Sequence, residues 1–151
     1  MTTKAKIIAL ASVDPTLQSY FGAPPAFFRM FDRQLAQTYY KQGTCCELRR
    51  ISTVRQYSHE TPTNQSVLGL AQPRMEFRVI DLVADVAAQA CGAIRDWLST
   101  VDFSSNDQFG SPPVAARRHP NFVLNEIDGF IPATNPPIPV QILDVRIFDL
   151  E

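Results

Sequence analysis

The clearest hydrophobic and polar alternation in the chain lies in its middle, at residues 74–79. Apolar and charged residues alternate strictly there, as they do on a strand with one buried face. The apolar set is Met75, Phe77 and Val79, and the charged set is Arg74, Glu76 and Arg78. Apolar residues then recur every three or four positions over residues 81–101, which predicts an amphipathic helix with Asp81 as its N-cap. Its apolar stripe consists of Val83, Val86, Ala87, Ala90, Ile94, Trp97, Leu98 and Val101.

Two short helices are predicted at the N-terminus. The first runs to about Val13, and Asp14-Pro15 then supplies an N-cap followed by a proline at the first helical position. One face of the second helix carries Leu17, Tyr20 and Phe21. Gly22 is expected to end this helix.

Further stretches are rich in residues that favour strands. They are residues 44–57, 121–131 and 138–150, with a shorter extended segment at 27–31 and a brief helix at 32–42 between them and the N-terminal helices. In the first stretch the alternation slips between Leu48 and Ile51, which predicts a β-bulge near Arg49-Arg50. In the last stretch both faces carry apolar residues, which favours a strand buried on both sides.

Two long segments, residues 58–73 and 102–120, are rich in proline and polar residues and are predicted to be loops. Loops of this length in compact domains are often functional. Our candidate interaction residues are His59, Val67, Leu68, Leu70, Phe109, Arg117, Arg118 and His119. A short basic run such as 117–119 is more commonly a solvated part of a loop. We expect both loops to become ordered when subunits assemble.

The predicted elements indicate one α+β domain spanning residues 1–151. Its sheet would be mainly antiparallel and would pack against the amphipathic helix 81–101 and an N-terminal helix, with long protruding loops. A chain of 151 residues buries enough surface for a core that needs no metal or disulfide. A hydrophobic fraction of 45% is too high for a disordered protein. No stretch has the length needed to span a membrane.

The net charge bears on the possible partners of the protein, and the cysteine content bears on the compartment in which it is made. The net charge of -1 gives no bulk attraction for nucleic acid or anionic lipid. The three cysteines are odd in number, and Cys45 and Cys46 are adjacent, unlike the framework of a secreted disulfide protein. We therefore expect synthesis in a reducing compartment, the cytoplasm.

No set of residues predicts catalysis or a bound cofactor. His59 and His119 are the only histidines, and no cysteine or carboxylate lies near them at the spacing of a metal site. A nucleophilic Cys45-Cys46 with His59 as base would lack a third group to orient the base. The chain also has no glycine-rich loop that would cradle phosphate. We expect a protein that is not an enzyme, holds no cofactor and no metal, and binds other protein subunits.

The middle of the chain resembles the tail-terminator or tail-completion (head–tail joining) proteins of long-tailed bacteriophages. Residues 74–81 look like the alternating strand of that family. Residues 84–98 are similar to its alanine-rich helix, which ends in an Ile-Arg-x-x-Leu-like phrase, here Ile94-Arg95-Asp96-Trp97-Leu98. Residues 51–64 look like the family's second strand and mobile loop, and the order of predicted elements is similar throughout.

The resemblance implies a structural virion protein without enzymatic activity. Copies of it would form a ring, hexameric in such families, that caps the tail tube and joins it to the head connector. The long loops would dock onto the neighbouring rings, and DNA would pass through the lumen without specific binding. The protein would be made in the host cytoplasm and reside in the tail or neck of the virion.

Two alternatives stay open at this point. One is a small cytosolic enzyme or ligand-binding domain whose site is built from residues dispersed along the chain. The other is an adaptor that binds one protein partner without forming a closed ring. A deep polar pocket would favour the first alternative, whereas flat apolar edges favour assembly.

Overall fold

The computed structural model describes residues 3–23, 30–31, 43–56, 70–101, 121–131, 137–147 and 149–150. Within these ranges the elements are α1 (Thr3–Ala11), α2 (Pro15–Phe21), β1 (Met30–Phe31), β2 (Cys45–Gln56), β3 (Leu70–Ile80), α3 (Ala84–Thr100), β4 (Phe122–Ile131), β5 (Ile138–Arg146) and β6 (Asp149–Leu150). The helices and a mainly antiparallel sheet make this an α+β fold, as the sequence predicts.

The strands form one sheet in the order β1-β2-β3-β5-β4. Neighbours from β2 to β4 are antiparallel, whereas β1 pairs with β2 in parallel. The predicted last strand is divided in two, because β5 ends at Arg146 and β6 pairs separately with the start of β3. Between them the Ile147 N–H donates to the carbonyl of Pro73 at 2.9 Å, which continues the contact with β3.

The main core lies between one face of this sheet and the helices. From α3 it takes the buried residues Ala87, Ala90, Cys91, Ile94, Trp97 and Leu98, and from β2, β3 and β5 it takes Cys46, Leu48, Met75, Phe77, Val79, Leu143 and Val145. The alternation in β3 and the helical stripe in α3 from Ala87 to Leu98 are thus confirmed. Helix α2 adds the buried Leu17 and Phe21 to the same core.

Helix α2 begins and ends as its sequence predicts. The backbone N–H of Leu17 donates to Asp14 Oδ1 at 3.0 Å, so Asp14 caps the helix, and Pro15 is its first residue. Gly22 has a φ of 92°, a conformation that side chains with a Cβ rarely adopt, and its N–H donates to the Gln18 carbonyl. The sequence predicts both ends of α2 correctly because its N-cap and C-cap involve only residues close to one another in sequence.

The start of α3 differs from the prediction. The helix begins at Ala84, and Val83, predicted to lie in the apolar stripe, is 54% exposed. Asp81 Oδ1 accepts a hydrogen bond from the Val83 N–H at 2.8 Å, and its Oδ2 accepts one from Thr44 Oγ1 at 2.7 Å. Asp81 therefore holds the turn after β3 against the start of β2 instead of capping the helix.

Strand β3 also starts earlier than predicted, at Leu70 and not at residue 74. Pairing with β2 on one edge and β6 on the other extends the strand through the end of the predicted 58–73 loop. Pro73 lies within this strand, close to the point where the register of β2 shifts between Arg50 and Ser52. That shift confirms the predicted bulge, and an irregular ladder is where a sheet tolerates proline.

The opposite face of the sheet carries a second, smaller apolar cluster. It consists of Cys45, Ile80, Ile138 and Val140, with Ile131 and Ile142 packed against it. Cys45 and Cys46 thus face opposite sides of β2, and both are fully buried. The cluster confirms that the final β-rich stretch buries apolar side chains on both of its faces.

Candidate functional site

Strand β4 lies at the end of the sheet and forms its most distinctive surface. Among the described residues the only strand that pairs with it is β5. Its ten residues include neither lysine nor proline, the residues that commonly protect an edge strand, and its one irregularity lies between Val123 and Asn125. The backbone of β4 is therefore suited to pairing with a strand of another chain.

The side chains of β4 are unusually apolar for an exposed strand. Val123 is 40% exposed, Leu124 43%, Ile127 46% and Phe130 66%. Half of the large apolar side chains that are exposed in the described part of the chain lie on this one strand. Exposed apolar groups concentrated along one edge strand favour burial by a partner that runs along that strand. We define the β4 surface as these four side chains together with Glu126 and Asp128.

The acidic residues of the β4 surface lie on the side of the sheet that faces α3. Glu126 accepts a hydrogen bond from Arg95 Nη1 at 3.0 Å, and Cys91 Sγ donates to its Oε1 at 3.7 Å. These contacts fix the direction of the Glu126 side chain. By alternation Asp128 and Phe130 point to the same side, and both are exposed.

Cys91, which contacts the β4 surface, and Cys46 in the main core are not suited to nucleophilic chemistry. Burial, and next the carboxylate of Glu126, raises the pKa of Cys91 to about 12. Burial, followed by the neighbouring thiols, likewise raises the pKa of Cys46. With raised pKa values both thiols stay protonated at neutral pH. They are therefore poor nucleophiles, because the thiolate is the reactive form of cysteine.

Arg49 and Arg78 lie on the face of the sheet opposite α3 and are engaged by acids of a neighbouring strand. Arg49 lies 3.2 Å from Glu76, and Arg78 lies 3.5 Å from the buried Glu47. The paired residues sit on neighbouring strands, at positions that cross-strand register brings together. These two arginines are therefore paired within the chain, which makes them less available to an anionic ligand.

A shallow groove of about 490 Å³ runs between α2 and α3. It is lined by Asp14, Thr16, Tyr20, Gln89, Gly92, Ala93, Asp96, Trp97 and Thr100. The carboxylate of Asp14 already caps α2, and that of Asp96 lies 3.8 Å from Arg95 on the helix surface. The groove thus lacks the converging polar groups that define a catalytic site.

The residues predicted to bind partners lie almost entirely outside the described part of the chain. They are His59, Val67, Leu68, Phe109, Arg117, Arg118 and His119, and for them the expectation remains a prediction. Leu70 is the exception, and the prediction that it lies in a loop is wrong. It is the first residue of β3 and pairs with Gln56 and Leu150, because strands on both sides hold its backbone.

The described residues contain no group of three histidine, cysteine, aspartate or glutamate side chains that could hold a metal ion. None of the described helices is long and apolar enough to cross a membrane. The whole sequence was also compared with known proteins. No protein-family model matches it, and a search of curated proteins finds no match.

Proposed function

We propose that the protein is a structural subunit of a bacteriophage virion, a ring-forming tail-terminator or tail-completion component. The observation that carries the proposal is the β4 surface. An edge strand that only β5 pairs with among the described strands, and that has four exposed apolar side chains, suits a subunit of a permanent assembly better than a freely diffusing enzyme. The resemblance of residues 74–98 to the phage family is the reason for proposing a phage tail as the particular assembly.

The fold around that stretch supports the same proposal. The residues that resemble the family fold as β3 followed directly by α3, the order that the resemblance implies. They also form the centre of the sheet and of the core. The family likeness thus concerns the elements on which the rest of this domain is built.

In this proposal the chain acts by assembly alone. Six copies make heterologous contacts around a closed axis, and the ring caps the tail tube and joins it to the head connector. DNA passes through the lumen, and a net charge of -1 suits passage without tight binding. Residues 102–120, predicted to be a loop and carrying Phe109, Arg117 and Arg118, dock onto the neighbouring rings. The protein is made in the host cytoplasm and resides in the tail or neck of the virion.

One observation favours the alternative of a ligand-binding domain or enzyme. The groove between α2 and α3 has room for a small molecule and exposes Tyr20, Gln89 and Asp96. Small-molecule sites are usually enclosed and bring several polar groups toward one point. The groove is open and its polar groups do not converge, so it is a poor match to a small-molecule site. The β4 surface is a better match to a protein interface.

Electron microscopy of the purified full chain tests the proposal. We expect closed rings with a central opening, because a ring-forming subunit holds its closure contacts within its own sequence. Single folded chains at every concentration would contradict it. Small symmetric dimers without a central opening would contradict it as well, and would favour an adaptor.

A matched pair of variants separates the role of β4 from ring closure. Phe130→Glu and Gln89→Glu each place a carboxylate at an exposed position, the first on the β4 surface and the second on α3. We expect both to form rings and only Phe130→Glu to lose the joining of purified heads to tails. Equal joining by the two variants would contradict a role of β4 in attachment.

A further inference from the structure

An edge strand such as β4 has two kinds of possible partner. It can pair with β4 of a second copy, or with an extended strand of another protein. In an antiparallel pair of identical strands related by a two-fold axis, opposed side chains lie on the same face of the sheet. Such a pair is therefore centred on a single residue, and only a few registers bury most of the strand.

Each central register of a β4–β4 pair opposes two carboxylates. Centring the pair on Ile127 places Glu126 opposite Asp128. Centring it on Glu126 or on Asp128 places that residue opposite its own copy. Like charges directly opposite one another destabilise a strand pair, and registers further from the centre bury fewer of the apolar side chains.

Among the described residues, the charge around Glu126 and Asp128 is negative. Arg95 is the cation that contacts Glu126, at 3.0 Å, and it also lies 3.8 Å from Asp96. Asp128 lies on the same side of β4 as Glu126 and adds another carboxylate, and β4 itself contains no lysine or arginine. An incoming strand with positive charge is therefore favoured over a neutral or acidic one.

We propose that β4 binds an extended strand of a different protein that carries lysine or arginine at two alternate positions, opposite Glu126 and Asp128. Apolar residues of that strand cover Phe130 on the same face and Ile127 on the other. The inference rests on the proposed function only in taking β4 as an attachment surface, and it assigns ring closure to other parts of the chain.

The backbone of β4 indicates which amide groups receive the partner. The Glu126 N–H donates to the side chain of Asn125 at 3.0 Å, so it is not directed to β5. Amide directions alternate along an antiparallel strand, so the N–H groups of Asp128 and Phe130 also point away from β5, to the edge that no other described strand pairs with. Proline at position 128 removes one of these donors and leaves the ladder with β5 intact.

Two synthetic peptides of alternating valine and threonine serve as probes. One has lysine at two alternate positions, the other has glutamate there, and both are N-methylated along one edge so that they cannot pair with themselves. We expect the full chain to bind the lysine peptide about tenfold more tightly in isothermal titration. Added salt should reduce the difference. Equal affinities, or no binding of either peptide, would overturn the proposal.

Three variants locate the binding. Asp128→Lys should abolish the preference for the lysine peptide, because each peptide then meets one charge of the same sign and one of the opposite sign on β4. Asp128→Pro should abolish binding of both peptides. Asp85→Lys makes the same charge change at an exposed position on α3 and should leave the preference as it is. If Asp85→Lys abolishes the preference too, bulk charge and not the β4 surface selects the peptide, and the proposal fails. Electron microscopy of rings is independent of these results, so either proposal can fail alone.

Discussion

Replacing Ile94 with alanine tests whether the stripe on α3 forms the main core contact. Ile94 is fully buried in the cluster that joins α3 to the sheet. The change removes three carbons, worth roughly 2.5 kcal/mol by transfer, and the cavity left behind adds to this. We therefore expect a loss of about 3–4 kcal/mol in the free energy of unfolding, measured in urea. Ile94→Asp should cost more, because a buried carboxylate would have no partner.

Gln89→Ala is the matched control for this measurement. Gln89 lies on the same helix and is exposed, so its replacement should change stability by less than about 0.5 kcal/mol. A loss of under about 1 kcal/mol in Ile94→Ala would refute the reasoning, since it would mean that this helix face is not closely packed on the sheet.

Three further predictions follow from the described contacts. Because the pKa of Cys91 is raised from its ordinary 9.0 to about 12, the unfolded thiol ionises first, so stability should fall as the pH rises from 9.0 toward 12. Urea midpoints across that range should fall less steeply in Cys91→Ala. Asn121 Nδ2 donates to two carbonyls at the end of α3, each at 2.9 Å. Asn121→Ala should therefore lower the free energy of unfolding, measured by thermal unfolding, by about 1–2 kcal/mol. Asn121→Asp should lower it more, because its carboxylate would face those carbonyls. At Gly92 an added Cβ would meet Arg95 Nη2 at 3.4 Å, an ordinary contact. Gly92→Ala should therefore stabilise the helix by roughly 0.5–1 kcal/mol. A lower melting temperature of this variant would contradict the prediction.

The parts of the fold that the sequence predicts well are those in which chemistry differs sharply between faces. Strand β3 alternates charged and apolar residues, and α3 keeps its stripe over four turns, so both elements and their shared core can be predicted locally. The boundaries of these elements cannot be predicted from the local sequence. The start of α3 depends on Thr44, which precedes β2 and reaches Asp81 from far away in sequence. The start of β3 likewise depends on strands that pair with it on both sides.

The β4 surface was not predicted, and the reason is physical. Six of the ten residues of β4 are apolar, which is also the composition of a strand buried at the centre of a sheet. Whether such a strand lies at the edge depends on the order of strands, which distant pairings determine. The lack of lysine and proline in residues 122–131 was the one local signal, and it gains meaning only once the strand is known to be an edge.

The native mass of the purified full chain tests the central claim most directly. If the protein is a ring-forming subunit, six chains of 16.9 kDa should appear as one species of about 101 kDa, without stable intermediates, because a closed ring satisfies every contact at once. The same species should persist in Asp128→Lys, since ring closure is assigned to surfaces other than β4. A single chain of 16.9 kDa as the main species at every concentration would contradict the account.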